Sequence, residues 1–185
     1  IRRLVSSLRE LGMEPGDLGG LFITHEHKDH VSSMCLVTPV AQKFGFPVYS
    51  SPGFWNWYRR NTRNRLDPSL VRVISSGETA ELATAFSKPH DAAEPLGFVV
   101  EVDGERASFV MDLGYVPEAV EYMIEGSEYL LFESNHDVDL ERNSGRPWYL
   151  VRRVLGNLGH LSNDQAGDTL SRLVTDQTKH VILSH

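Results

Sequence analysis

His25-Glu26-His27-Lys28-Asp29-His30 places three imidazoles and two carboxylates within six residues. The apolar run Leu21 to Thr24 directly ahead of it reads as a short strand. Val31, Met34 and Cys35 behind it read as the start of a helix running toward Phe44-Gly45, kinked or shortened by Pro39. Side chains two apart at a strand end leave it on the same side, so His25 and His27 point together, while Asp29 and His30 fall in the following turn. Imidazole nitrogen and carboxylate oxygen are donors that zinc accepts, and manganese or iron would also fit. The competing reading is an exposed loop that happens to hold three histidines and an acid; the spacing argues against it.

Working outward, three more candidate ligands follow apolar runs. His90 comes after the strand ending near Phe86, Asp112 after Phe109-Val110-Met111, and His185 after Val181-Ile182-Leu183. Taken singly, a histidine after a strand is an ordinary surface residue, and Asp112 before Leu113-Gly114 could be a turn former. Taken together, ligands spread over four strand ends can converge on one edge of a sheet.

Strands and helices alternate along the rest of the chain. Leu4, Val5, Leu8 and Leu11 recur at helical spacing up to a stop at Gly12. Pro47 to Ser50 reads as a strand, and Phe54 to Arg65 as an aromatic, arginine-rich helix or loop. Gly97 to Val102 pairs with Arg106 to Met111 across the turn signal Asp103-Gly104. Helices are expected over Pro117 to Ile124, with Pro in the first turn, and over Pro147 to Leu155. A last helix is capped by Ser162 or Asn163, and Tyr129 to Phe132 is a further strand. Cys35, among Met34 and Leu36, reads as a buried structural thiol.

Composition bounds the answer. The 185 residues, 41% hydrophobic and 23% charged, suffice for one buried core, so a single domain over residues 1–185 is expected. No apolar run approaches the roughly 18 residues that span a bilayer, and no signal sequence opens the chain, so no membrane partner is expected. A lone cysteine cannot close an internal disulfide, which suits a reducing cytoplasm. The net charge of -7 argues against broad nucleic-acid binding and leaves local patches to decide. Ile1 reads as lying inside a helix and His185 just after a strand, so an incomplete fragment is expected.

HEHKDH matches the HxHxDH signature of the metallo-β-lactamase superfamily, which the chain resembles over most of its length; His90, Asp112 and His185 match its later ligand motifs in order. The resemblance implies an α/β (α+β, four-layer) αββα sandwich, truncated at the N-terminus, where relatives carry further strands, and at the C-terminus. It also implies two divalent ions, one held by His25, His27 and His90, the other by Asp29, His30 and His185, with Asp112 bridging. Such a pair activates a shared water to hydroxide at neutral pH and neutralises oxygen charge in the transition state. Asp29 then both ligates and orients that hydroxide as a base.

Ligands alone do not choose the substrate. Phe132 to Asp137 and Gly159 to Asn163 are similar to the corresponding segments of the YycJ/WalJ-like branch, which implies a phosphodiesterase or DNA exonuclease. In that reading His160 contacts the phosphate or donates a proton to the leaving oxygen. Helix capping is the alternative for His160, although Ser162 and Asn163 can cap without it. Asn135, His136 and Asp137 either orient ligands or close the strand with a polar turn. Glu133 could pair with His160, though no spacing argument requires it.

Trp55, Trp57, Tyr58, Arg59, Arg60, Arg63 and Arg65 cluster with no acid until Asp67. The aromatics can stack bases while Arg59 and Arg60 bind phosphate. Alternatively they pack into the core beneath a solvated arginine face, the reading favoured for the tryptophans. Arg142, Arg146, Arg152 and Arg153 form a second basic stretch. The leading expectation is a binuclear, metal-dependent phosphodiesterase or exonuclease acting on DNA. The alternatives are a thioester or lactam hydrolase of the same fold, without salt-sensitive DNA binding, and a metal-binding scaffold without catalysis. Oligomeric state is not legible in the sequence.

Overall fold

A computed structural model describes residues 2–31, 34–63 and 65–185, with side chains described from residue 5 onward except at 34–37. The expectation for the Cys35 thiol lies outside the described side chains. The chain divides into two compact units, Ile1–Ser75 with Ala92–Glu94, and Ser76–Asp91 with Pro95–His185.

The first unit is built from α1 (Arg2–Glu10), β1 (Leu21–Phe22), α2 (Lys28–Val31), α3 (Met34–Phe44), β2 (Val48–Ser50), α4 (Pro52–Asn61) and β3 (Val71–Val73). Its three strands run parallel in the order β1-β2-β3, with Leu21 opposite Val48 and Val48 opposite Val71. Helices follow β1 and β2, as parallel neighbours require a crossover. Gly12, at φ +72°, ends α1 in the left-handed region as expected. Pro39 does not end α3; it lies inside the helix. Ser51 caps α4 by accepting from Phe54 N at 3.1 Å, with Pro52 in the first turn. Phe54, Trp55 and Tyr58 enter the core with Ile23, Val48 and Leu66, while Arg59 and Arg60 stay exposed. Trp55 is committed to packing: its indole N–H donates to Arg72 O at 2.9 Å, so it is not available to stack a base.

The second unit contains β4 (Thr79–Ala80), β5 (Ala83–Ser87), β6 (Leu96–Val102), β7 (Glu105–Val110), α5 (Glu118–Ile124), β8 (Tyr129–Glu133), α6 (Val138–Arg142), α7 (Trp148–Val154), α8 (Asn163–Leu173) and β9 (His180–Ser184). Its sheet has the order β4-β5-β6-β7-β8-β9, antiparallel as far as β7 and parallel from β7 to β9. Two antiparallel steps separate β5 from β7, so β5, β7, β8 and β9 all point the same way. Their C-terminal ends therefore share one edge, and His90, Asp112, Glu133 and His185 follow or end those strands. Asp103 and Gly104 both have positive φ, 52° and 83°, the conformation of a tight two-residue hairpin turn. Phe86, Val110, Leu130 and Phe132 form the core with Val120 and Ile124 of α5 and Ala166 of α8. Pro117 is the N-cap of α5 rather than part of its first turn.

Candidate functional site

In the first unit the histidine motif straddles the loop after β1 and the start of α2, where Asp29 and His30 occupy the first helical turn. His25 is fully buried, with its ring 4.7 Å from that of His27 and 4.1 Å from that of His30. The Thr24 hydroxyl lies 3.0 Å from His25 Nδ1 and 3.2 Å from His30 Nδ1, so one side chain orients two rings. Asp29 Oδ2 is 3.5 Å from His30 Nε2. Glu26 accepts from Ala93 N at 2.7 Å, and Ser50 donates to Ile23 O at 2.8 Å; both bonds fix the backbone that carries the histidines.

In the second unit the organising residue is Glu133, the last of β8, which has no exposed surface. Its Oε1 accepts from His160 Nδ1 at 2.7 Å and from His185 Nδ1 at 3.0 Å, and its Oε2 accepts from Leu113 N at 2.9 Å. Burial alone would raise its pKa, but the hydrogen bonds from the two imidazoles and the Leu113 N–H outweigh it, so the carboxyl lies below the ordinary glutamate value. Fixing Nδ1 of both rings presents Nε2 to the surroundings, and His185 Nε2 lies 3.4 Å from Asp112 Oδ1. Asp112 itself is buried and held at φ 56°, an uncommon conformation for a residue with a side chain.

His90 is buried, its Nδ1 donating to Gly159 O at 3.1 Å. Burial first, and the nearby Lys88 charge second, lower its pKa to about 4, so it is neutral at pH 7. A neutral imidazole with Nδ1–H engaged offers its lone pair at Nε2, the form a metal ligand needs. Lys88 is buried with Nζ 3.8 Å from Asp112 Oδ2 and a hydrogen bond to Met111 O. Burial pulls its pKa down to about 8, against the opposing pull of Asp112 and Glu133. Nothing in the local sequence marks Lys88, since its role depends on where β7 ends.

His160 joins this cluster, its ring 5.2 Å from that of His90 and 4.9 Å from that of His185. It does not cap α8: Ser162 does, in a capping box with Gln165. Of Asn135, His136 and Asp137, the first donates to His185 O at 2.6 Å and so touches a candidate ligand. Asp137 caps α6, a helix that the polar-turn reading missed. His136 pairs through its backbone with Ser162, and burial lowers its pKa. Arg153 forks onto Asp91 at 2.6 and 2.9 Å and thereby braces the residue beside His90.

Asp112, Glu133, His160 and His185 each offer a donor atom, all within 4.8 Å of one another. Both Glu133 oxygens already accept hydrogen bonds, so it is suited to hold ligands rather than to be one. Nitrogen and oxygen donors at this spacing fit a divalent cation such as zinc or manganese.

Residues 3–185 match the Beta-lactamase superfamily domain. The chain belongs to this superfamily. Within it, the chain is 32% identical over 173 residues to the exodeoxyribonuclease YycJ of Bacillus anthracis, covering 91% of this chain and 64% of that protein. It is 30% identical over 189 residues to the exodeoxyribonuclease WalJ of Streptococcus pneumoniae, covering 100% of this chain and 69% of that one. The YycJ/WalJ-like branch is thus its place in the superfamily, and the chain spans about two thirds of these relatives. Among solved structures, Zn2+-bound PqqB from Methylobacterium extorquens superposes with a TM-score of 0.66 at 20% identity, over 90% of this chain and 58% of PqqB, a likeness of fold. The metallo-β-lactamase fold expected from HEHKDH is therefore the fold of this chain. No described helix is long and apolar enough to cross a membrane.

Proposed function

We propose that this superfamily member is the catalytic part of a metal-dependent phosphodiesterase that removes nucleotides from DNA. The observation that carries the reading is the buried Glu133 behind His160, bonded at 2.7 Å. A carboxylate on Nδ1 stabilises the imidazolium and leaves Nε2–H to be given to a leaving oxygen. An alkoxide leaving group needs that proton; the thiolate released from a thioester needs it far less. The exodeoxyribonuclease names of the two bacterial relatives support the same substrate class.

By their match to the superfamily motifs, His25, His27 and His90 would hold one divalent ion and Asp29, His30 and His185 a second, with Asp112 as a ligand available to either. Zinc is favoured by the donor set, with manganese as the other candidate. When bound, such ions supply a hydroxide nucleophile at neutral pH and neutralise charge on the phosphate. Asp29 takes the proton of the attacking water, Asn135 and Glu133 hold His185 in place, and His160 protonates the departing oxygen. Lys88, beside Asp112, offsets the negative charge of the buried carboxylates. We place the activity in the cytoplasm, where DNA is available and Cys35 stays reduced.

The test is release of nucleotides from end-labelled linear duplex DNA by the full-length, metal-loaded protein. Asp112→Ala is expected to abolish release. His160→Ala should lower kcat by about 10²- to 10⁴-fold, and Glu133→Gln by about 10- to 100-fold, with the alkaline limb of the pH profile moved to lower pH in Glu133→Gln, because the imidazolium that gives the proton loses its carboxylate partner. Metal-loaded protein that releases nothing from DNA but hydrolyses a thioester would replace this reading with the small-molecule one.

A further inference from the structure

Helix α7 turns two large aromatic side chains to solvent. Trp148 is 61% and Tyr149 71% exposed, although Val151 and Val154 of the same helix are buried. The neighbouring sequence is cationic: from Asn143 to Asn163 there are three arginines, Arg146, Arg152 and Arg153, and no acidic residue, in a chain of net charge -7. Arg146 pairs with Glu141 and Arg153 with Asp91. Arg152, one helical turn beyond Trp148, makes no ion pair among the described residues.

The patch is also held at a set distance from His160. Val154 O, at the end of α7, accepts from His160 N at 3.0 Å, and the Arg153–Asp91 fork ties the same helical turn to the segment carrying His90. Six residues at about 1.5 Å rise each put Trp148 roughly 9 Å along the helix from that anchor. A stacked strand advances about 3.4 Å per nucleotide, so roughly three nucleotides fit that interval.

Resting on the function proposed above, we infer that Trp148, Tyr149 and Arg152 form a stacking surface for unpaired nucleotides of the strand being cut. The flat rings take the faces of bases, which every base offers and a closed duplex hides, and the unpaired guanidinium takes a phosphate. The enzyme therefore handles its substrate as a single strand for the few nucleotides next to the cut, with the bases parted from the complementary strand.

The experiment uses the full-length, metal-loaded protein and a fluorescein-labelled oligo-dT, read by anisotropy and by quenching of tryptophan fluorescence, with thermal melts as a folding control. Trp148→Ala and Tyr149→Ala should each weaken oligo-dT binding by about tenfold or more, and Trp148→Phe should restore most of it. Arg152→Ala should lower the slope of log affinity against log salt by about 0.7. Quenching should fall sharply with Trp148→Ala, since Trp55 is buried and Trp57 half-buried, and should be unchanged by Trp57→Phe. Normally folded Trp148→Ala and Tyr149→Ala variants that bind oligo-dT as tightly as the parent would overturn the inference, as would a dimer that Tyr149→Ala splits, because a second copy would then cover the patch. Binding that depends on Trp148 without any cleavage would sink the nuclease reading alone; cleavage with binding indifferent to Trp148 would sink this inference alone.

Discussion

Glu133 joins two histidines that lie 27 and 52 residues away in the chain. One carboxylate thereby sets the tautomer of both rings, each donating from Nδ1. His90 obtains the same tautomer from a backbone carbonyl, and its burial gives it a distinct pH signature. Its folded pKa, about 4, lies below the reference 6.5, so between those values the unfolded chain binds the proton first. Stability of the metal-free protein should be constant with respect to this group above pH 6.5 and fall as pH drops toward 4, by up to roughly 3 kcal/mol. Urea unfolding at pH 7 and pH 4.5 checks this. His90→Gln should flatten the decline, and an unaltered slope would assign the acid sensitivity to other groups.

At the scale of elements, the segment from α7 to α8 brings His160 to the cluster through a tight turn. A Cβ on Gly159 would lie 2.1 Å from Arg153 O and 2.3 Å from Val154 O, and those carbonyls cannot yield without breaking the turn. Gly159→Ala should cost about 3 kcal/mol or more and lower the melting temperature. Gly167, inside α8 with nothing within 4 Å of its Cβ position, is the contrasting case. Gly167→Ala should stabilise by about 0.5–1 kcal/mol. Equal effects at the two sites would show that close approach, rather than helix propensity, had been misjudged. The elements legible in the sequence were those with strong local signals: the Asp103-Gly104 hairpin, the Gly12 stop and the Ser162 cap. β3 and β4, of three and two residues, and α6, of five, escaped: so short a segment carries no period, and the equally short β1 and β2 were legible only from the apolar run ahead of the histidine motif and from Pro47-Val48-Tyr49. Pro39 was expected to kink or shorten α3, and the helix runs through it.

For the molecule as a whole, metal loading should couple to stability. An ion that binds only the folded chain stabilises it by about 4 kcal/mol at a thousandfold excess over Kd. Calorimetry with and without a chelator should therefore show a large fall in Tm on metal removal, diminished in His185→Ala; a Tm indifferent to metal would mean that the assigned ligands take no ion. The spacing of HEHKDH was enough, before any coordinates, to mark a metal site, because side-chain direction at a strand end follows from local geometry; the resemblance of that motif, and of His90, Asp112 and His185 in order, to the metallo-β-lactamase superfamily is what placed the chain among metal-dependent hydrolases. Tertiary structure alone decided that Glu133 serves both His160 and His185, that Lys88 sits buried beside Asp112, that Arg153 braces Asp91 across 62 residues, and that Trp55 is core while Trp148 faces solvent. These pairings depend on how strands of one sheet are ordered and registered and on which helix face is covered. Those are long-range outcomes of packing that no local spacing encodes.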